Sequence, residues 1–457
     1  MPRTRSRAHA AVAVASVWLT AAATLASGGL PAHARPAART SVIGPGLTYE
    51  RIKDPQGPWV IHVVRLDPAQ ASTLDLAAGG PTMGAFSRPS EIGRARRALV
   101  AINGDFGLLS GHPLHPFAMD GSLMGRGAQR GVSFALTHDE AASYLGPEPL
   151  AIDGKDVTSG ALFELAGWNS GKPDPGELAA YTRYGGRVEP VPGYGCAARL
   201  LPDGEMRWNG SGDGISRLYT VGARRCGEEP LPAKRRSVVL AARRWGVGAT
   251  TLTEMSRGDT IRLSWSFGWR HVMDSIGGMP QVVDDGSNVG VRCAARFCRR
   301  HPRTGVGVTA DGSVLLVVVD GRSERSVGMS LVELGRTFVS LGAVEALNLD
   351  GGGSSAMWIK GSGIVNRPSD PGGERAVVNA MVVLPGGDAG EGSLSLRRAP
   401  RVAVAHGLGV SDFPKLASFD PGSTGGLADA WIRGALGMST TPPSSIVQAA
   451  RWFRLRG

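Results

Sequence analysis

Lysine is almost missing from this chain. It stands only at positions 53, 155, 172, 234, 360 and 415, so arginine supplies nearly all of the 50 basic residues among 457. The +11 formal charge is an arginine surplus scattered among 39 acids. It forms no stripe of the kind a nucleic-acid footprint requires, so nucleic acid is not the expected partner. An anionic substrate or an anionic cell wall suits the balance better. Cysteine is scarce as well: Cys196, Cys226, Cys293 and Cys298 are the only four. No C-x-x-C occurs among them, which leaves a zinc ribbon or a thioredoxin-like site without support. Beyond residue 34, no stretch reaches the ~18 consecutive apolar residues of a spanning helix.

Residues 1–34 carry Arg3, Arg5 and Arg7, an Ala/Val/Leu run, and then Ala32-His33-Ala34. A basic start, an apolar centre and an A-x-A site read as a secretory signal peptide, with a protein that is exported and, once cleaved, not membrane-bound. An even cysteine count in an exported chain favours disulfides. Three pairings are open; the local one, Cys196–Cys226 with Cys293–Cys298, is preferred. A composition of 42% hydrophobic and 19% charged residues is that of a globular protein. The expected fold is α+β, with mixed β-sheets and a few packed helices. A β-rich portion at 35–99 precedes a single catalytic domain at 100–385, followed by a linker and tail at 386–457.

The most informative stretch is Asn348-Leu-Asp-Gly-Gly-Gly-Ser-Ser355, behind the apolar alternation of Val344, Ala346, Leu347 and Leu349. It reads as a buried strand that delivers Asn348 and Asp350 at its end and opens into bare backbone. At Gly351, Gly352 and Gly353 side chains vanish and φ is free to turn positive. Successive N–H groups in such a turn, with Ser354 and Ser355 after them, suit an anion site. Residues 99–102 form a second buried strand that ends in Asn103, Gly104 and Asp105, so two strand ends of the same kind are expected over one cleft. Residues 329–341 read as a helix with Ser330 as N-cap and Gly342 after its end. Residues 189–236 read as short strands pinned by a disulfide. His112 and His115 stand three apart, but Pro113 and Pro116 forbid a helix that would present both imidazoles, and no metal is assigned.

These motifs together resemble the phosphodiester glycosidase family. The likeness extends from about residue 100 to 383 and includes Ala101-Ile-Asn-Gly-Asp-Phe106, Ser275-Ile-Gly-Gly-Met-Pro280, His301-Pro-Arg-Thr-Gly-Val-Gly307, Val365-Asn-Arg-Pro-Ser-Asp370, Glu374-Arg375 and Val378-Asn379-Ala380. Gly107 stands where the family often has a second aromatic, and Met279 and Gln281 also depart from its pattern. The resemblance implies hydrolysis of a sugar 1-phosphodiester on a phosphate-linked glycan, with no cofactor. A phosphate monoester leaves as an anion, its second pKa being about 6, so it needs less acid help than the alkoxide of an ordinary glycoside. Electrostatic stabilisation should then dominate. Asp350 is the first candidate carboxylate, with Asp105 and Glu374 behind it. Arg303, Arg367 and Arg375 are expected on phosphate, because guanidinium matches its oxygens with two parallel bonds. Asn103, Thr304, Asn348, Asn366 and Asn379 complete the expected substrate contacts, with the N–H groups and hydroxyls of 351–355. Two alternatives stay open: a metal-dependent phosphodiesterase that breaks P–O, and a non-catalytic glycan-binding protein of the envelope.

Overall fold

The computed structural model describes residues 37–386, apart from 68–71, 129–130, 138–142, 148–149, 171–172, 186–193, 228–230, 235 and 244–245, together with 403–404. The expected leader and nearly all of the expected tail lie outside the described residues.

The described residues are mostly strand, arranged in four sheets of eight, eight, six and five strands. The three α-helices among the described residues, Pro89–Ala95, Val247–Glu254 and Leu331–Ser340, are all short. The fold is therefore β-rich, and the α+β expectation holds only loosely. The strands of the expected N-terminal portion are built into the same sheets as the motif strands. Trp59–Leu66 pairs antiparallel with Val314–Val319, and Thr73–Ala78 pairs with Asn379–Leu384.

The motif strands fall where the apolar pattern puts them. Ala343–Asn348 lies antiparallel to Arg303–Thr309, with Gly305 opposite Asn348. Val100–Asn103 lies between Met357–Ile359 and Asn379–Leu384 in the five-stranded sheet. One apolar cluster contains inward-facing residues of both sheets: Val64, Leu66, Val306, Val308, Leu316 and Leu347 with Ile102, Met357 and Met381, all buried. This core ties the two sheets together and places their strand ends in one region.

Leu331–Ser340 begins as expected: the Ser330 hydroxyl accepts from the Glu333 N–H, and Glu333 accepts from the Ser330 N–H at 2.9 Å. Gly342, at φ +90°, follows its end. The region at 189–236 differs from expectation. It forms a long hairpin, Tyr194–Trp208 with Gly214–Cys226, rather than short strands. Pro202-Asp203-Gly204 looks like a turn in sequence, but the register shift between Asp203 and Arg207 absorbs it as an irregularity within the ladder. Cys196 and Cys226 are register partners in this hairpin and are bonded, as are Cys293 and Cys298.

Gly335 sets how closely helix Leu331–Ser340 approaches its neighbours. A Cβ there would stand 2.5 Å from the Val282 carbonyl oxygen and 2.2 Å from Asn288 Oδ1. Helix propensity alone would make Gly335→Ala stabilising by about 1 kcal/mol. The clash with fixed backbone reverses the sign: the variant should lose about 1–3 kcal/mol in urea denaturation. A stabilised variant would show that the helix moves freely off the sheet.

Candidate active site

The site assembles from strand ends. Asn103, fully buried at the end of Val100–Asn103, donates through Nδ2 to the Asp350 carbonyl at 2.7 Å. Its Oδ1 accepts from Thr304 Oγ1 at 2.8 Å and from the Ala356 N–H at 3.1 Å. The Asp350 N–H donates to the Gly104 carbonyl at 3.0 Å, and the Leu349 N–H to the Thr304 carbonyl at 2.9 Å. The two Asn-plus-carboxylate strand ends thus meet.

Asp350 keeps part of its surface exposed. Its Oδ1 accepts from the Gly351 N–H at 2.8 Å. Burial pushes its carboxyl up to about 6, and the Asp105 charge adds to the rise; hydrogen bonds from Ser354 and Gly351 and the Arg375 guanidinium oppose it. Arg375 sits in an ion pair: Nε and Nη2 both reach Asp370 Oδ2, at 2.8 and 2.7 Å. That pair lies directly over Gly353, where a Cβ would be 2.2 Å from both Arg375 Nη2 and Asp370 Oδ1. Only glycine admits the ion pair at this distance.

Several expected contacts serve the scaffold instead. Asp105 is buried with both oxygens engaged: Oδ1 accepts from the Phe106 N–H and from His115 Nδ1, each at 2.7 Å, and Oδ2 accepts from the His115 N–H at 2.9 Å. It holds a histidine and a loop, and has no free oxygen to attack a sugar. Glu374 caps a helix: Oε1 accepts from the Ser90 N–H in the first turn of Pro89–Ala95 at 2.9 Å. Arg303 is buried, and its guanidinium donates to the carbonyls of Met329, Phe297 and Arg299 at 2.7–2.8 Å. Burial lowers its pKa to about 9, and no fork remains for phosphate. Arg367 lines an outer cleft with Ser323, Glu324 and Arg325.

The bare-backbone turn is also largely self-satisfied. Gly351 N–H meets Asp350, Gly352 N–H donates to the Pro302 carbonyl at 2.9 Å, and the N–H groups of Ser354 and Ser355 donate to Gly351 and Gly352. Asn366 pins the same loop, accepting from Met357 N–H at 2.8 Å and donating to the Ser355 carbonyl at 3.0 Å.

Among the described residues, other buried polar atoms lack partners. Asn348 donates through Nδ2 to the Met279 carbonyl at 2.6 Å, leaving Oδ1 unpaired. Asn379 accepts from the Asp105 N–H at 2.8 Å, leaving Nδ2 unpaired. Ser355 Oγ and His115 Nε2 are likewise buried without a hydrogen bond. Asp105 is an acceptor for His115 Nδ1, so a neutral His115 presents a bare lone pair at Nε2. Buried polar groups normally find partners, so these atoms are candidates for contact with a polar ligand. Sequence reasoning weighed His115 only as a metal ligand. Its signal is a carboxylate ten residues upstream, which becomes visible only when the loop folds back.

Residues 233–384 match the family model described as phosphodiester glycosidase. Over 84 residues, 18% of this chain, the sequence is 42% identical to the SPbeta prophage-derived uncharacterized protein YomE of Bacillus subtilis (strain 168). That match spans only 13% of the relative's length. Among solved structures, a hypothetical protein from Synechocystis superposes with TM-score 0.59 at 23% identity, covering 77% of this chain and 64% of its own. A protein of Burkholderia pseudomallei K96243, provisionally named as exported, gives 0.56 at 19% identity, covering 77% and 97%. These two likenesses concern the fold.

Two outcomes test this geometry. Glu374→Ala should lower stability in urea denaturation by about 1 kcal/mol through loss of the cap; unchanged stability would show that Glu374 does not hold the helix end. Asp350 gives a stability signature with pH. The unfolded carboxyl ionises near about 4 and the folded one near about 6. Below pH 4 both states hold the proton and no penalty arises. As pH rises from 4 through 6 the unfolded state ionises first, and native stability falls by about 3 kcal/mol. Urea denaturation of the protein and of Asp350→Asn should diverge by that amount between pH 4 and 7, with the wild type losing ground. Parallel curves would refute the raised pKa.

Proposed function

We propose, from the match of residues 233–384 to the phosphodiester glycosidase family model, that this chain is an exported hydrolase that cleaves a sugar 1-phosphodiester. The products are the free sugar and a phosphomonoester, and the natural substrate is a phosphate-linked glycan or cell-wall polymer carrying an N-acetylglucosamine-like sugar. The observation that carries the reading is Asp350. The residue is partly exposed, burial of its carboxyl raises the pKa to about 6, and Asn348 and Ser355 on either side of it in the chain carry buried polar atoms that lack partners among the described residues. A sugar offers hydroxyl and amide groups for Asn348 Oδ1, Asn379 Nδ2, Ser355 Oγ and His115 Nε2. Asp350 then acts on the water that attacks the anomeric carbon, or directly on the developing positive charge there. The Arg375 guanidinium, whose charge is felt at Asp350, favours departure of the phosphate as an anion. Asp105 orients His115 and does not react. Two disulfides support export, and among the described residues no helix is long and apolar enough to cross a membrane.

The test is hydrolysis of the methyl phosphodiester of N-acetylglucosamine in labelled water. Label at C1 of the released sugar is expected. Label in the phosphate would instead establish P–O cleavage and overturn the proposal. Asp350→Asn should lower kcat by roughly 10²–10⁴-fold. The wild-type kcat/KM should rise through pH about 6 as Asp350 ionises. A profile flat across that region would remove Asp350 from the proton chemistry.

A further inference from the structure

A cleft of about 530 Å³ is lined by Ser323, Glu324, Arg325 and Arg367. Both arginines are exposed. Among the described residues neither guanidinium makes an ion pair or hydrogen bond, unlike Arg303 and Arg375, whose guanidiniums are engaged.

The walls that present them are held firmly. Ser323 and Ser326 exchange backbone hydrogen bonds, each at 3.1 Å, so Glu324 and Arg325 form the tip of a closed loop. Ser326 Oγ donates to the Asp320 carbonyl at 2.7 Å and accepts from the Val60 N–H at 3.0 Å. The opposite wall is held by the same aspartate, whose Oδ1 accepts from the Arg367 N–H at 2.7 Å. Behind it, Asp320 Oδ2 stands 3.5 Å from His62 Nε2, and His62 Nδ1 is 2.8 Å from Tyr49 Oη. Arg322 Nη1 adds a bond to Ser369 Oγ at 3.3 Å. One buried residue, Asp320, thus fixes both sides, through its main-chain carbonyl on one and its carboxylate on the other. The two cations are preorganised on fixed backbone, so little loop entropy is lost when a ligand joins them.

One wall of the cleft is tied through its chain neighbour to the loop that follows Asp350. Asn366, the residue before Arg367, bonds to Ser355 and Met357. We infer that this cleft is a second anion site, which binds phosphates of the acceptor-side chain, beyond the bond that is cleaved. The ligand class is a polyanion of repeating phosphodiesters, and naming that class rests on the hydrolase reading above. Two unpaired guanidiniums against one carboxylate leave the cleft cationic, and arginine suits phosphate oxygens. A volume of this size takes several chain units, whereas a lone phosphate would leave most of it to water. Arg367 then contributes to the grip on the polymer rather than to the reacting phosphate.

The experiment uses the full chain and a fluorescent glycerol phosphate trimer. Anisotropy should report binding that weakens as salt rises. Arg325→Ala and Arg367→Ala should each weaken it roughly five- to twentyfold, while Asp350→Asn binds as wild type. In turnover, Arg325→Ala should raise KM for a sugar phosphodiester built on that trimer, leave its kcat unchanged, and leave both constants for the methyl phosphodiester unchanged. Inorganic phosphate should compete only weakly with the trimer. Trimer binding that is absent, or unaffected by either substitution, overturns the inference, as does an equal loss by Arg325→Ala on short and long substrates. If the wild type hydrolyses neither substrate yet loses the trimer on Arg325→Ala, the cleft stands and the hydrolase reading falls.

Discussion

The side-chain amide of Asn103 is the contact on which the site depends. With no exposed surface, it connects the end of one sheet to a strand of another and to the turn after Asp350, using both ends of the amide at once. No other side chain of its size has a donor and an acceptor directed oppositely in this way. Removing either end would leave a buried carbonyl, hydroxyl or N–H unpaired, which costs more than the bond itself contributes. The position of Asp350 is therefore a property of the join between sheets rather than of its own turn.

The charged residues around that join divide into two groups. Asp105, Glu374, Arg303 and Asp320 all bond to main-chain groups and shape loops or helix ends. Asp350 and Arg375 are coupled instead to each other and to the glycine turn: the Arg375 charge acts on the Asp350 carboxyl, and its pair with Asp370 lies over Gly353. A β-rich protein with long connections has many main-chain groups outside its ladders, and each must be satisfied. Buried charges are a ready source of such bonds, because a charged partner makes the stronger hydrogen bond. Carboxylates and guanidiniums near a reactive centre are consequently more numerous than the groups that react.

Much of the architecture is legible in the chain as written. The strand before Asn348 and the capped helix Leu331–Ser340 follow from apolar period and capping residues, and the cysteines take the local one of three open pairings. Met357–Ile359 is a strand too, but it joins Val100–Asn103 in the other sheet rather than returning beside Ala343–Asn348. The long hairpin at Tyr194–Trp208 is not legible, because Pro202-Asp203-Gly204 has the composition of a turn and only cross-strand pairing decides that the ladder continues past it. Helix Val247–Glu254 is likewise hidden: it is short and threonine-rich, and its fit against neighbouring strands outweighs its weak propensity.

For the site, the residue order determined which residue types stand at strand ends: Asn and Asp beside glycine, twice, with arginines downstream. Local spacing settles that much, since a strand alternates and a glycine run must turn. The tertiary structure alone decided where each side chain points. It turned Arg303 into the interior and Glu374 onto a helix end, folded His115 back to Asp105, and left Asp350 partly open. Those directions depend on which distant carbonyls and N–H groups come within 3 Å of each charge. That is a property of packed sheets, and neighbours in sequence carry no record of it.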